Sequence, residues 1–190
     1  FRRLGYKAGL ISTVVYRIDN ETLPSTHTTP DAIRLNAMLA EMAERGCDYC
    51  FMEVSSHSIV QERIAGLTFA GGIFTNITHE HLDYHGTFAE YIRAKKRFFD
   101  RLPKGAFALV NTDDNGAVMV QNSAATTYTY ALRSFSDFRC RILENTPEGM
   151  LLELDGQQVW TRFLGRFNAY NLAAVYGAAR LLGADCDETL

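Results

Sequence analysis

The fold and the chemistry of this chain are both indicated by residues 72–85, which read GIFTNITHEHLDYH. The first six residues form an apolar run typical of a β-strand. The next eight contain three of the chain's five histidines and two carboxylates, the side chains that hold divalent metals in proteins. Because open α/β sheets place their ligand sites just past the strand ends, this stretch predicts an α/β enzyme.

Composition excludes several other classes of protein. The 190 residues carry a net charge of −3 and a pI near 6.0, so we expect no nucleic-acid partner. A hydrophobic fraction of 47% suits one globular domain with a real core. No apolar run approaches the roughly 20 residues of a membrane span, and no signal-peptide pattern follows residue 1. We expect a cytoplasmic monomer without a membrane partner, and a fragment because the chain does not begin with Met.

The cysteines predict no metal or redox centre. Cys47 and Cys50 have CxxC spacing, but the chain has no second pair to complete a zinc site. Cys50 also lies within an apolar run, where a buried structural thiol is the ordinary expectation. Reduced thiols agree with a cytoplasmic location.

Apolar runs and helical periodicity alternate along the first two thirds of the chain. Strands are predicted at residues 8–16, 49–54, 72–77 and 107–110. Helices are predicted at residues 30–45, 60–64 and 87–101, the first with Thr29 as its N-cap and Pro30 at its first position. This alternation predicts a mostly parallel, doubly wound sheet over residues 1–125.

The pattern changes from residue 126 onward. Short strands at 126–130, 138–143, 150–154 and 158–163 are separated by turn residues. They predict a small antiparallel sheet over residues 126–165 appended to the parallel one. An Ala-rich helix at 166–182 then closes the chain over residues 166–190.

Three of the predicted parallel strands end in polar residues. The first carries Glu53 and residues 55–57, the second leads into the histidine cluster, and the third is followed by residues 111–114. Because the carboxyl ends of parallel strands share one edge, we expect these groups at one rim. Asn and Asp are also common turn residues, so each segment alone has a plain structural explanation.

Glu53 and Lys95 stand out because both are expected at buried positions. A carboxylate near the end of a buried strand needs a cation or hydrogen bonds to offset its desolvation. Lys95 lies on the apolar face of its helix. That face is defined by Phe88, Ile92 and Phe99. A buried stem with its ammonium in water explains Lys95; the alternative is a neutral amine that adds carbon dioxide and becomes an anionic metal ligand.

A hydrolase motif offers a competing interpretation of the histidine cluster. His79, His81 and Asp83 resemble the HxHxD run of metallo-β-lactamase-like hydrolases. That run continues with another His, whereas this chain has Tyr84 and no His beyond His85. The further ligands of such hydrolases are therefore missing.

Six segments, in order along nearly the whole chain, carry a more specific resemblance. They are TTP (28–30), MEVSSHSIVQER (52–63), FTNITHEHLDYHG (74–86), YIRAK (91–95), NTDD (111–114) and GRFNAYNL (165–172). In these segments the chain resembles the Mur ligases of bacterial cell-wall synthesis, most closely the MurE type. The resemblance implies a P-loop NTPase-like α/β domain of an ATP-dependent amide ligase.

The resemblance also implies a reaction and its partners. ATP would phosphorylate the D-glutamate carboxylate of UDP-N-acetylmuramoyl-L-alanyl-D-glutamate. The amine of a diamino acid, most commonly meso-diaminopimelate, would then attack the acyl phosphate.

Residue roles follow from the matching segments. Mg²⁺ and catalysis are assigned to Glu53, His81 and carbamylated Lys95. Contacts to the muramoyl peptide are assigned to Thr28, Thr29, Ser55, Gln61 and Arg63. ATP contacts are assigned to Asn168, Asn171 and His85. A helix start at Thr29 would offer free N–H groups to an anion, although plain helix capping also explains Thr28, Thr29, Asn168 and Asn171.

Several family features are missing from these residues. No GxxxxGK[ST] phosphate loop is present. We expect a central ATPase domain without its first strand, its phosphate loop, its uridine-binding domain or its amino-acid-selecting domain. Such a piece should neither bind ATP tightly nor turn over by itself.

Two other functions remain as alternatives. One is a related ligase module that adds L-lysine or serves cyanophycin or folate polyglutamate synthesis, although residues 55–63 argue against folate. The other is a non-catalytic binding protein with this fold, which the presence of Glu53, His81 and Lys95 disfavours. The choice between diaminopimelate and L-lysine is left open by these residues.

Overall fold

The structure, a computed structural model, describes residues 1–78 and 81–189, and it divides into two compact units. The first unit is Phe1–Leu67 and the second is Thr68–Leu190. Among the described residues, no helix combines the length and apolarity needed to cross a membrane.

The first unit contains a four-stranded mixed sheet in the order β3-β2-β1-β4. The strands are β1 Ala8–Ile11, β2 Val15–Ile18, β3 Glu21–Pro24 and β4 Tyr49–Met52, and the helices are α1 Ala32–Glu44 and α2 Ser56–Val60, after a 3₁₀ turn at Arg2–Leu4. Strand β1 pairs antiparallel with β2 and parallel with β4.

A tight turn divides the strand predicted at residues 8–16 into β1 and β2. The Ser12 hydroxyl donates to the carbonyl of Val15 at 2.8 Å and accepts from its N–H at 3.3 Å. A serine side chain that bonds to nearby backbone favours a chain reversal. The apolar run shows which residues are buried but not where the chain turns, so the single-strand prediction was wrong.

Helix α1 begins two residues later than predicted. Its N-cap is Asp31, whose Oδ1 accepts from the N–H groups of Ile33 and Arg34 at 3.1 and 3.0 Å. Thr29 is therefore not the cap, and its hydroxyl is used elsewhere. The helical periodicity of this segment is confirmed, because Leu35, Met38 and Met42 are buried.

The region around β4 differs from the prediction in two ways. Strand β4 lies at one end of its sheet and is only partly buried, with Cys50 exposed, so it is not buried on both faces. Helix α2 spans Ser56–Val60, earlier than the predicted 60–64, because the Ser55 hydroxyl accepts from the N–H of Ser58 and caps it.

The second unit contains a six-stranded sheet in the order β10-β9-β8-β7-β6-β5. Its strands are β5 Gly71–Phe74, β6 Phe107–Asn111, β7 Thr126–Ala131, β8 Phe138–Thr146, β9 Gly149–Leu154 and β10 Gln157–Thr161. Its helices are α3 Leu82–His85, α4 Phe88–Asp100, α5 Gly116–Met119, α6 Arg166–Leu181 and α7 Cys186–Thr189.

The antiparallel part of this sheet begins later than residue 126. Strand β7 pairs parallel with β6 and, over two residue pairs, parallel with β8. The antiparallel pairs of this sheet are β8 with β9 and β9 with β10. The prediction for β7 was wrong because the length of a strand and the turn residues around it do not reveal its partner. Residues 112–125, which include α5, form the crossover that connects β6 to its parallel neighbour β7.

Helix α6 closes the core of the second unit. Ala169, Ala173 and Tyr176 pack on a cluster that includes Leu109 of β6 and Met150 of β9. Gly177 allows close contact, since a Cβ there would lie 3.0 Å from Phe138 and 3.1 Å from Leu109. Each large apolar side chain buried here contributes about 1.5–3 kcal/mol.

The α/β class is confirmed, and the strands are divided between two sheets. Strand β4 pairs with β1, and β5 pairs with β6, each in parallel. Strands β4 and β5 belong to different sheets, although the sequence predicts consecutive positions in one sheet. Periodicity identifies a strand without naming its hydrogen-bonding neighbour.

Candidate functional site

A polar cluster in the first unit forms around the segment that follows β4. The Thr29 hydroxyl, buried, donates to the carbonyl of Glu53 at 2.8 Å and accepts from the N–H of Ser55 at 3.2 Å. These two bonds hold the segment before α1 against the end of β4. Thr29 therefore has a structural role that the capping hypothesis did not anticipate.

Arg63 joins the same cluster through hydrogen bonds to Thr29 and Gln61. Its Nη1 donates to the Thr29 carbonyl at 2.6 Å, and its Nε and Nη2 donate to Gln61 Oε1 at 2.9 and 2.6 Å. The guanidinium is thus fixed in direction by two neighbours. A fixed guanidinium is well suited to bind a carboxylate or phosphate.

Glu53 is exposed and lies one residue beyond β4. Its Oε2 accepts from the N–H of Thr13 at 3.2 Å and from the Thr13 hydroxyl at 2.5 Å. The Thr13 hydroxyl lies 3.0 Å from that of Thr28. The expectation of a buried Glu53 was wrong because β4 is an end strand that stops at Met52.

The first unit therefore brings together all five residues assigned to the muramoyl peptide. They are Thr28, Thr29, Ser55, Gln61 and Arg63. We call this group, with Thr13 and Glu53, the Glu53 cluster.

In the second unit, Tyr91 of α4 contacts three residues that the sequence singled out. Its ring centroid lies 5.9 Å from that of His81 and 5.2 Å from that of His85, and Lys95 Nζ lies 5.1 Å from it. A cation over a tyrosine face is favoured electrostatically. His81 also has a left-handed backbone with φ 57°, uncommon for a residue other than glycine.

The face of α4 that is buried differs from the predicted one. Its buried residues are Tyr91, Ala94, Phe98 and Phe99, whereas Phe88 and Ile92 are half-buried. Lys95, also half-buried, lies beside this face, which fits a stem along the apolar surface. Its carbamylation stays a prediction.

The metal assignment also stays a prediction. Glu53 belongs to the first unit, whereas His81 and Lys95 belong to the second. Within residues 1–78 and 81–189, no three His, Cys, Asp or Glu residues form a group that could hold a metal ion. His79 of the hydrolase interpretation lies outside the described residues.

The second unit has a cavity of about 410 Å³ at the carboxyl ends of β5 and β6, beside the start of α6. Its lining residues are Thr75, Asn76, Asn111, Asp113, Asp114, Arg133, Arg166, Phe167, Tyr170 and Asn171. The volume lies within the range of small-molecule sites. Polar residues after β5 and β6 do share one edge, as predicted, and the β7–β8 loop adds Arg133.

Asp113 is the most strongly bonded carboxylate of this cavity, with its side chain 2% exposed. It accepts from the N–H groups of Leu132, Arg133 and Ser134 at 2.9, 2.9 and 3.0 Å. It also accepts from the Ser134 hydroxyl at 2.5 Å and the Tyr170 hydroxyl at 2.8 Å. The β7–β8 loop and α6 are thereby attached to the end of β6.

These contacts shift two pKa values in opposite directions. Burial alone would raise the pKa of Asp113, but the hydrogen bonds from Ser134, Arg133 and Tyr170 outweigh it and hold that pKa well below its ordinary value. Burial and then the bond to Asp113 raise the pKa of Tyr170. At neutral pH Asp113 is charged and Tyr170 is a hydrogen-bond donor.

The residues assigned to ATP fall in three different places. Asn171 lines the cavity. Asn168 is not among the lining residues, and its amide donates to the Leu164 carbonyl at 2.8 Å within the turn that starts α6. His85 packs against Tyr91 instead. Neither asparagine is the N-cap of α6, which is Gly165 with φ 87°.

Several residues of these sites were not predicted from the sequence. Thr13 gave no signal, because it lies in a predicted strand. Asp113 was noticed only as part of a polar strand end that turn propensity explains. Tyr170 and Arg166 occur within the GRFNAYNL segment, where only the asparagines were assigned.

Comparison with known proteins identifies the family. The family model for the Mur ligase middle domain matches residues 2–179. This chain belongs to that family. It is 61% identical, over all its length, to the UDP-N-acetylmuramoyl-L-alanyl-D-glutamate–2,6-diaminopimelate ligase of Phocaeicola vulgatus, and 59% identical to the ligase of the same name from Cytophaga hutchinsonii.

Solved structures agree with this membership. A 2,6-diaminopimelate ligase of the same name superimposes with a TM-score of 0.87 at 27% identity, covering 99% of this chain and 40% of that one. MurF of Thermotoga maritima, solved in complex with ADP, has a TM-score of 0.67 at 14% identity over 98% of this chain and 42% of its own, which shows a shared fold.

The chain spans only part of its relatives. It covers 40% of the Phocaeicola vulgatus protein and 39% of the Cytophaga hutchinsonii protein. The activity of the whole protein is therefore taken up as a proposal.

Proposed function

We propose that this chain is the middle domain of an ATP-dependent ligase that adds 2,6-diaminopimelate to UDP-N-acetylmuramoyl-L-alanyl-D-glutamate in peptidoglycan synthesis. The observation that carries the proposal is the Glu53 cluster, where five residues assigned to the muramoyl peptide meet. The names of relatives at 59% and 61% identity support the same substrate pair.

The reaction requires two bond exchanges. A D-glutamate carboxylate oxygen bonds to the γ-phosphorus of ATP as the bond to the β–γ bridging oxygen breaks, releasing ADP. The diaminopimelate amine then attacks the acyl carbon, the C–O bond to phosphate breaks, and the amine loses a proton. Amide, inorganic phosphate and ADP are the products.

The residues of the Glu53 cluster offer what the first exchange requires. Two anions must approach each other, so fixed donors and cations stabilise the transition state. We assign this role to Arg63, which Thr29 and Gln61 orient. Ser55 and Thr28 would place hydroxyl groups beside the peptide carboxylate.

ATP and Mg²⁺ are the small-molecule requirements of this proposal. The cavity at the end of β6 fits a nucleotide base in volume, and Asn76 and Asn171 provide amide groups along its wall. Mg²⁺, with Glu53, His81 and carbamylated Lys95 as proposed ligands, would supply charge neutralisation on the phosphates. We further propose a cytoplasmic monomer.

The test is phosphate release by a full-length ligase that carries these residues as its middle domain. Release should require ATP, the muramoyl dipeptide and 2,6-diaminopimelate together, and omission of any one should abolish it. If L-lysine supports release as well as 2,6-diaminopimelate does, the substrate assignment is wrong. If no amino acid supports it, the ligase proposal itself fails.

A further inference from the structure

Asp113 connects three segments that form the wall of the cavity. It follows β6, it accepts three backbone N–H groups of the β7–β8 loop, and it accepts the hydroxyl of Tyr170 in α6. Five hydrogen bonds leave the carboxylate little capacity for another partner. The side chain is thus committed to the protein itself.

Two of the groups that Asp113 contacts are cavity-lining side chains. Tyr170 lines the cavity and directs its hydroxyl to Asp113 Oδ2 at 2.8 Å. Arg133 also lines it, with Nε 3.8 Å from Asp113 Oδ2 and Nη2 donating to the Asp113 carbonyl at 3.5 Å. The Arg133 side chain is 66% exposed, and both of these contacts direct it to Asp113.

The same segment fixes the neighbouring strand end. The N–H of Asp113 donates to Asn111 Oδ1 at 3.0 Å, and the Asn111 amide donates to the Thr75 carbonyl at 2.9 Å. Asp114 Oδ2 accepts from the N–H of Ile77 at 3.3 Å. The ends of β5 and β6 and the start of α6 are therefore held in one hydrogen-bonded network.

We propose that Asp113 is a positioning residue for the nucleotide: it sets Tyr170 and Arg133 at the cavity wall without touching the ligand. This inference rests on the proposed function, since it takes the cavity to be the ATP site. Loss of the Asp113 carboxylate removes the hydrogen bond to Tyr170 and the ion pair with Arg133 together, so ATP affinity falls while the reacting groups elsewhere are unchanged.

The test measures the KM for ATP and kcat in the full-length ligase for Asp113→Asn and Tyr170→Phe. The matched control is Asp137→Asn, because Asp137 also accepts from one backbone N–H and one hydroxyl, both of Thr129, but does not line the cavity. All assays are run at a temperature where each variant is folded by circular dichroism.

The expected result is an increase of about tenfold in the KM for ATP for Asp113→Asn, a smaller increase for Tyr170→Phe, and kcat within about twofold of the parent. Asp137→Asn should leave both constants unchanged. The KM for ATP of the variant that combines Asp113→Asn with Tyr170→Phe should be no higher than that of Asp113→Asn alone, because both changes break the same hydrogen bond between Asp113 and Tyr170.

Other outcomes would overturn the inference. An unchanged KM for ATP in a folded Asp113→Asn variant means that the network serves stability alone. If Asp113→Asn does not fold, the Tyr170→Phe variant is used for the test. An unchanged KM for ATP in Tyr170→Phe also means that the network serves stability alone. A parent enzyme without ATP-dependent activity would contradict the proposed function, whereas normal ATP saturation with insensitive variants would contradict only the positioning role.

Discussion

Glu53 and Asp113 both follow a strand that is paired in parallel, yet their surroundings are opposite. Asp113 is almost fully buried and accepts five hydrogen bonds, mostly from backbone groups. Glu53 is exposed, and its Oε2 accepts from Thr13. A carboxylate that the protein satisfies holds the fold together, whereas one that it leaves accessible is available to a ligand or metal.

The largest expected effect is a loss of catalytic activity when Glu53 is substituted. In the full-length ligase, Glu53→Gln should lower kcat by about 10²–10³-fold, the range for loss of a group that stabilises transition-state charge. Its free energy of unfolding should change by less than about 0.5 kcal/mol, since the side chain is exposed. Phosphate-release kinetics and urea denaturation measure the two quantities.

The matched control for Glu53 lies at the other end of the same strand. Asp48 precedes β4 and accepts from the N–H of Lys7 at 2.9 Å. Asp48→Asn should leave kcat unchanged. A Glu53→Gln variant with a normal kcat would contradict the role in the reaction that is assigned to the exposed carboxylate of Glu53.

The second effect concerns stability. Asp113→Asn should lower the free energy of unfolding by about 2–4 kcal/mol, because it replaces a charged acceptor and leaves buried donors poorly satisfied. Asp137→Asn should cost about 1 kcal/mol or less, since its bonds to Thr129 are exposed. Urea denaturation of the two variants measures both. Equal losses would show that burial of Asp113 is not what matters.

The stability lost in Asp113→Asn should depend on pH. The folded pKa of Asp113 is depressed below its ordinary 3.8, so its stabilisation is complete above that value and is lost as pH falls through the folded pKa. The stability gap between parent and Asp113→Asn should be constant from about pH 5 to 8 and narrow below about pH 4. Urea denaturation midpoints of the parent and of Asp113→Asn, measured above and below about pH 4, test this prediction. A stability gap that varies between about pH 5 and 8 would contradict the negative charge assigned to Asp113.

A smaller effect is expected at the guanidinium of the Glu53 cluster. Arg63→Lys keeps the charge but cannot reproduce bonds to both Thr29 and Gln61, so the KM for the muramoyl dipeptide should rise about tenfold. Arg45→Lys is the control, since Arg45 makes exposed ion pairs with Glu21 and Glu41. Steady-state kinetics with the dipeptide varied would show whether the two arginines differ.

How far the sequence predicts the molecule depends on whether a feature is local. The apolar runs located β5, β6 and β9, and the helical stripe located α1, because burial follows periodicity within one element. Strand pairing is not local, so the division into two sheets and the parallel partner of β7 were not foreseen.

The candidate site shows the same limit. The segment containing Ser55, Gln61 and Arg63 is short enough for its matching residues to be assigned and then found together. Asp113 and Tyr170 are 57 positions apart, and their bond follows only from how α6 packs on the sheet. Thr13 reaches Glu53 across 40 positions for a similar reason, since β1 and β4 are paired.

The most direct test of the proposed ligase follows an oxygen atom. The D-glutamate side-chain carboxylate of the muramoyl dipeptide is labelled with ¹⁸O, and the full-length enzyme is supplied with ATP and 2,6-diaminopimelate. If an acyl phosphate forms, one labelled oxygen should leave with each inorganic phosphate released. Phosphate free of label, with both labelled oxygens accounted for in the peptide or in water, would contradict the account.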